Sequence, residues 1–310
     1  MQHRVIDPKS SKLRIFALNQ MLKQTVKPDR LSLDKGLSAM RARMDRVGKV
    51  MSLAPRVANR QDKIDHVEVE WLLPRRCNES RCLLYFHGGG YAIGSPLSHR
   101  AMVSWLAASL NVKVLTFHYR KAPEHPFPAA LEDAITVYRW LLENGFRSQG
   151  IAFAGDSAGG GLVFSTLLNL KGLELEMPAA AVGISPWLDL TLSGSSLSSN
   201  KTKDHILSHG LLEQYAALYA GAEDRAQPQL SPLFGDLSGL PPILLQVGSD
   251  EVLLDDSIRM MQQLHQARVS VTLEEWRDMQ HVWHFTSRFL SEGRGALKGV
   301  ANFIEAVWNT

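Results

Sequence analysis

The chain has 310 residues, of which 45% are hydrophobic and 21% charged. This is the composition of an ordinary globular protein, and it excludes intrinsic disorder, collagen and coiled coil. The net charge of +3 is too small to indicate a nucleic-acid-binding protein, although residues 1–60 hold 14 Lys and Arg against 4 Asp and Glu. Two cysteines make no disulfide framework, and neither a signal peptide nor a transmembrane run is apparent, so a cytoplasmic protein without an integral membrane segment is expected.

The N-terminal part of the chain has a helical pattern. Apolar residues recur at helical spacing through residues 10–50 and are interrupted by Pro28. This spacing predicts two or three helices within residues 1–60.

From residue 66 the pattern changes to short apolar strands that alternate with helices. Such alternation predicts βαβ units and a mostly parallel sheet, whose ligands lie beyond the carboxyl ends of the strands. Residues 61–310 are therefore predicted to form one catalytic domain. Residues 187–232 interrupt the alternation and are expected to cover that edge as a lid, together with the N-terminal helices. Val67, Val69 and Trp71 alternate with polar residues and predict a half-exposed strand. The other predicted strands are 82–86, 112–117, 151–154, 179–184, 242–247 and 269–276. Predicted helices are 129–143, one from 158, 210–220 within the insertion, 253–267 and 296–307.

The clearest chemical motif is Gly-Asp-Ser-Ala-Gly-Gly at residues 155–160. It follows a predicted strand and precedes a predicted helix, which is the context of a nucleophile elbow that exposes the hydroxyl of Ser157. A second motif, His-Gly-Gly-Gly at residues 87–90, also follows a strand. Its glycines leave backbone N–H groups uncovered, as a developing oxyanion requires.

A serine nucleophile needs a base and an acid, which follow it in the order Asp or Glu, then His. Asp250 lies just beyond a predicted strand and is the predicted acid, whereas Asp255 and Asp256 fall inside the next helix. His281 lies in the loop after the last strand and is the predicted base, in preference to His284. His281 and His284 are three residues apart, as two metal ligands could be, but no third candidate ligand accompanies them, so no metal site is expected.

These motifs, with residues 119–130, resemble the hormone-sensitive-lipase-like branch of the α/β-hydrolases, over about residues 65–310. The resemblance implies Ser157 as nucleophile, His281 as general base and Asp250 as orienting acid. It implies oxyanion donors at Ala158, Gly89 and either Gly88 or Gly90. It also implies a helical cap made from the N-terminus and an insertion.

The predicted function is hydrolysis of small-molecule carboxylic esters with short to medium acyl chains, without a cofactor. An amidase, lactonase or acyltransferase with the same triad remains open, as does a ligand-binding protein on this scaffold, because fold does not determine function. A homodimer is expected by resemblance only. Ile206, Leu207, Tyr215 and Tyr91 are candidates for the pocket lining.

Overall fold

A computed structural model describes residues 1–10, 14–15, 17, 20 and 33–310. Within these residues nine strands form one sheet in the order β1-β9-β8-β7-β6-β4-β5-β3-β2. Neighbouring strands are parallel except for the pairs β2–β3 and β3–β5. The strands are β1 Gln2–Ile6, β2 Val57–Ile64, β3 Val67–Pro74, β4 Asn78–Phe86, β5 Val112–Phe117, β6 Ile151–Asp156, β7 Ala180–Ile184, β8 Ile243–Gly248 and β9 Val271–Trp276.

Helices cover both faces of this sheet, as parallel sheets require. The α-helices are α1 Leu33–Val50, α2 Pro96–Leu110, α3 Ala129–Glu143, α4 Ala158–Gly172, α5 Ser196–Ser199, α6 His209–Ala220, α7 Leu254–Gln266 and α8 Ser291–Trp308. One apolar cluster packs α3, α4 and α7 on one face and extends to α6, and a second cluster packs α2 and α8 on the other face.

The predicted α/β architecture with a mostly parallel sheet is confirmed. The strand predicted at 112–117 and the helix predicted at 129–143 have the predicted bounds. Of the N-terminal helices, α1 is observed, whereas Pro28 and residues 21–32 lie outside the described residues.

Two edge strands were not predicted. β1 is mostly exposed and pairs with β9, and β2 is buried only at its two ends. Both lack the apolar alternation that identifies a half-buried strand. At the carboxyl edge of the sheet, the loops after β4, β6, β8 and β9 converge, and these loops hold the two glycine motifs and the predicted acid and base.

Candidate active site

Ser157 lies in the sharp turn between β6 and α4. Its backbone has φ 53° and ψ −125°, which is a strained conformation for a residue with a side chain. The turn is fixed on both sides, since Ser157 N–H donates to the carbonyl of Ile184 and the Ser157 carbonyl accepts from Trp187. A Cβ atom on Gly159 would lie 2.1 Å from the carbonyl oxygen of Phe86, so this close approach of helix to strand requires glycine.

His281, the predicted base, is the histidine that the structure brings to Ser157. Its Nε2 lies 2.9 Å from Ser157 Oγ, in a loop that follows β9. The other predicted candidate, His284, is fully buried and lies 2.7 Å through Nε2 from Gln246 Oε1. Burial lowers the pKa of His284 to about 3, so it stays neutral inside the core.

The acid in contact with His281 is Glu251. Glu251 Oε2 lies 2.8 Å from His281 Nδ1, and the carboxylate is fully buried. The prediction of Asp250 for this position is therefore wrong. Asp250 is half-buried, and its carboxylate bonds to the hydroxyl of Ser249 at 3.3 Å.

The turn after β8 explains this difference. Gly248 N–H donates to Glu251 Oε1 at 2.6 Å, which turns the Glu251 side chain back towards the end of the sheet. Asp250 is left on the outer side, where burial first and then the charge of Asp278 raise its pKa. Placement at the strand end is the same for both residues, so it does not distinguish them.

Ser185 connects Glu251 to the loop that holds His281. This fully buried residue follows β7, has φ 45°, and donates from Oγ to Glu251 Oε1 at 2.7 Å. The same Oγ accepts the N–H of Val282, next to His281, at 3.2 Å. Glu251 Oε1 thus has two donors, and Oε2 is left for His281. No motif in the sequence marked Ser185.

The glycine loop after β4 is held open by its own backbone. Gly89 has φ 120°, and its carbonyl accepts from the N–H groups of Ala92 and Ile93. Gly89 and Gly90 line the cavity beside Ser157, whereas Gly88 N–H is already bonded to Asp156 Oδ1 at 3.1 Å. This leaves Gly89 and Gly90, and not Gly88, as the predicted donors of the loop that are placed to serve an oxyanion; Ala158 is the first residue of α4.

Asp156, directly before the serine, ties the elbow to this loop. Its buried carboxylate accepts from Tyr85 Oη at 2.8 Å and lies 3.3 Å from His99 Nε2, in addition to its bond with Gly88. Burial alone would raise the pKa of Asp156, but His99 and the hydrogen bonds lower it, so the carboxylate stays charged.

The protein environment of His281 favours the protonated imidazole more strongly than bulk water does. Burial lowers its pKa, but the hydrogen bond and charge of Glu251 outweigh burial, and the net pKa is raised above its usual value. Asp204 and Asp156 act in the same direction. The surroundings of His281 therefore favour its protonated, imidazolium form.

A cavity of about 620 Å³ opens at Ser157, within the usual range of about 300–1,000 Å³ for small-molecule sites. Its walls come from α1, from the segment before α6, from α6 itself and from the loop after β9. Ile206, Leu207 and Tyr215 line it as expected, whereas Tyr91 is buried and stacks on Tyr219. The other apolar lining residues are Ile15, Met40, Met44, Val47, Ile93, Trp187, Leu211, Leu212, Met279, Val282, Trp283, Phe285 and Leu290.

In the described part of the chain, no group of three or more His, Cys, Asp or Glu is arranged to hold a metal ion. In the same residues, no helix is long and apolar enough to cross a membrane. Cys77 and Cys82 are both free thiols.

Comparison with known proteins gives a consistent result. A family model described as the α/β-hydrolase fold matches residues 83–285. An acetyl-hydrolase of Streptomyces hygroscopicus is 46% identical over 241 residues, which cover 78% of this chain and 80% of that protein. An esterase of Acinetobacter venetianus is 33% identical over 94% of this chain and 95% of its own length. The crystal structure of an esterase from the bacterial hormone-sensitive lipase family superposes with a TM-score of 0.91 and 36% identity, covering 96% of this chain and 99% of that one.

Proposed function

The chain belongs to the α/β-hydrolase family, in its bacterial hormone-sensitive-lipase branch, and we propose that it is a serine carboxylesterase for short to medium acyl chains. The observation that carries this proposal is the continuous chain of hydrogen-bonded groups from Ser157 through His281 to Glu251. Nucleophile, base and orienting acid in this geometry perform acyl transfer on several unrelated folds.

In the first half of the reaction, Ser157 Oγ attacks the ester carbonyl carbon while His281 Nε2 takes the hydroxyl proton. The charge that develops on the carbonyl oxygen is stabilised by the backbone N–H groups of Gly89, Gly90 and Ala158. The imidazolium then gives its proton to the leaving alkoxide, so the alcohol departs and an acyl ester of Ser157 remains.

In the second half, His281 takes a proton from water, and the resulting hydroxide attacks the acyl carbon. Collapse of the second tetrahedral intermediate releases the carboxylic acid and returns the proton to Ser157 Oγ. Throughout, Glu251 holds His281 Nδ1–H and stabilises the imidazolium, without itself being protonated. No step requires a cofactor.

The cavity supports an apolar substrate of limited length. Helix α1 and the segment 187–232 form part of its wall, and we propose that they act as the cap over the carboxyl edge. Arg41 on α1 supports this docking, because it donates to both carboxylate oxygens of Glu124 at 2.8 Å and to the carbonyls of Ala92 and Ala122.

The test is hydrolysis of p-nitrophenyl esters from acetate to palmitate by the intact protein and by Ser157→Ala. Activity should peak at short to medium chains, and the variant should lose at least about 10⁴-fold in kcat. Full activity in the variant would refute the nucleophile, and palmitate hydrolysed as fast as butyrate would refute the chain-length limit. If anilides or lactones react faster than every ester, the amidase or lactonase alternative replaces this proposal.

A further inference from the structure

Four exposed apolar side chains belong to the lining of the active-site cavity or lie within three residues of a lining residue. Val47 and Phe285 line the cavity and are 54% and 39% exposed. Val50 and Phe289, which do not line it, are 76% and 74% exposed. We call these four residues the mouth rim. Soluble proteins usually expose large apolar residues singly, so a group at one opening indicates an interaction surface.

The mouth rim lies on α1 and on the segment 283–290, both of which pack against α2. Val47 and Val50 are three residues apart on α1 and hence on adjacent turns of one face. The opposite face of α1 is fixed to the protein, since a Cβ on Gly48 would lie 2.2 Å from the carbonyl oxygen of Leu97. Leu97 belongs to α2, and Phe285 packs on the same helix, because its ring lies 5.1 Å from the ring of His99 between centroids.

The rim is flanked by cations. Arg43, Arg46 and Lys49 are exposed on α1, and Arg288 is exposed between the two phenylalanines of the rim. Two carboxylates face the same region. Asp45 accepts a hydrogen bond from Ser95 Oγ, and Asp278 lines the cavity. Among the residues that the structure describes, the charge around the mouth is therefore positive in balance.

We propose that the mouth rim docks on an anionic lipid surface. Apolar side chains flanked by Lys and Arg on an exposed helix face are the features by which proteins bind at a lipid interface. The Lys and Arg side chains beside the rim would be attracted by anionic headgroups, and this supplies the charge complementarity. Val47 and Phe285 line the same cavity as Ser157, so docking would bring that cavity to the surface where ester substrates partition. This proposal rests on the proposed ester hydrolase function only for that last consequence.

Docking is measured independently of catalysis by sedimentation of the full chain with phosphatidylcholine vesicles, with and without phosphatidylglycerol. The intact protein should bind the anionic vesicles more tightly than the neutral ones, and salt should weaken this binding. Val50→Ser together with Phe289→Ser should weaken it about tenfold or more. Arg46→Gln together with Lys49→Gln should weaken it about fivefold per charge and reduce its salt dependence.

Phe234→Ser is the matched control, because Phe234 is 44% exposed, belongs to the turn Pro232–Phe234 that contacts α4 and α7, and does not line the cavity. It should bind vesicles as the intact protein does. Hydrolysis of soluble p-nitrophenyl butyrate should be unchanged in Val50→Ser, Phe289→Ser, since neither residue lines the cavity.

Equal binding of neutral and anionic vesicles, or rim variants that bind like the control, would overturn the proposal. A dimer in light scattering that dissociates in the rim variants, without vesicle binding, would assign the rim to a second copy instead. If the intact protein binds vesicles but hydrolyses no ester, the proposed function is refuted and the docking surface is still supported.

Discussion

Replacing Glu251 by Gln tests which of two adjacent acidic residues serves the proposed base. The substitution conserves shape and removes the negative charge that lies 2.8 Å from His281 Nδ1. Asp250→Asn is the matched control, because it makes the same chemical change one residue earlier, at a carboxylate bonded to Ser249.

The structure determines how the new amide would be oriented. Gly248 N–H and Ser185 Oγ both donate to the position of Glu251 Oε1, so the Gln oxygen is held there. Its NH₂ group then faces His281 Nδ1 and forces the tautomer with the proton on Nε2. That proton points at Ser157 Oγ, so the imidazole no longer accepts the hydroxyl proton.

A wrong tautomer of this kind costs about 10⁴-fold in kcat in the serine proteases, or about 5 kcal/mol of transition-state stabilisation. We expect a loss of about 10³–10⁴-fold for Glu251→Gln. Asp250→Asn removes a partly exposed charge that does not touch His281, so its effect should stay within about fivefold. Glu251→Asp should fall between them, since one C–C bond fewer withdraws the carboxylate by about 1.5 Å.

The assay is steady-state hydrolysis of p-nitrophenyl butyrate at pH 8, with thermal unfolding of each variant as the control for folding. A large loss in Asp250→Asn beside a nearly active Glu251→Gln would refute the assignment of the acid. If Glu251→Gln is inactive only because it is unfolded at the assay temperature, Glu251→Asp decides, because it retains the charge and changes only the reach.

Three further predictions concern the pH profile, the oxyanion loop and the helix α1. Glu251 raises the pKa of His281, and the proposed base must be neutral to accept a proton. We therefore expect kcat/KM to fall as the pH drops through a midpoint above about 6.5, and this midpoint should move lower in Glu251→Gln. A midpoint below about 6 in the intact protein would contradict this reasoning. Gly89→Ala would place a Cβ 2.3 Å from a backbone carbonyl oxygen at φ 120°, so the loop must shift. We expect kcat to fall about 10²–10³-fold and the melting temperature to fall as well; an unchanged kcat would exclude this donor. Arg41→Ala leaves Glu124 and two backbone carbonyls without their donor. We expect the free energy of unfolding in urea to fall by about 1–3 kcal/mol, and KM to rise more than kcat falls. Equal stability of the variant would show that α1 is held by other contacts.

The parts of the fold that the sequence predicted are those where local pattern and burial agree. The strand Val112–Phe117 is an apolar run that is buried almost throughout, and the glycines around Ser157 are required by backbone contacts that recur wherever such a turn is built. The edge strands β1 and β2 are different. Their pairing is determined by the backbone of a neighbouring strand, and their side chains are mostly exposed, so their sequence carries no periodic signal.

Glu251 shows where sequence reasoning about a site reaches its limit. Strand order and strand ends place a whole loop at the carboxyl edge, which is why Ser157 and His281 were found. Within the loop, the direction of each side chain depends on the turn, and here the bond from Gly248 N–H to Glu251 Oε1 turns one carboxylate inwards and leaves Asp250 outside. The deciding partner, Ser185, lies directly after β7, 66 residues earlier in the chain. Only tertiary contacts of this kind separate two acidic residues that are neighbours in sequence and equal in placement.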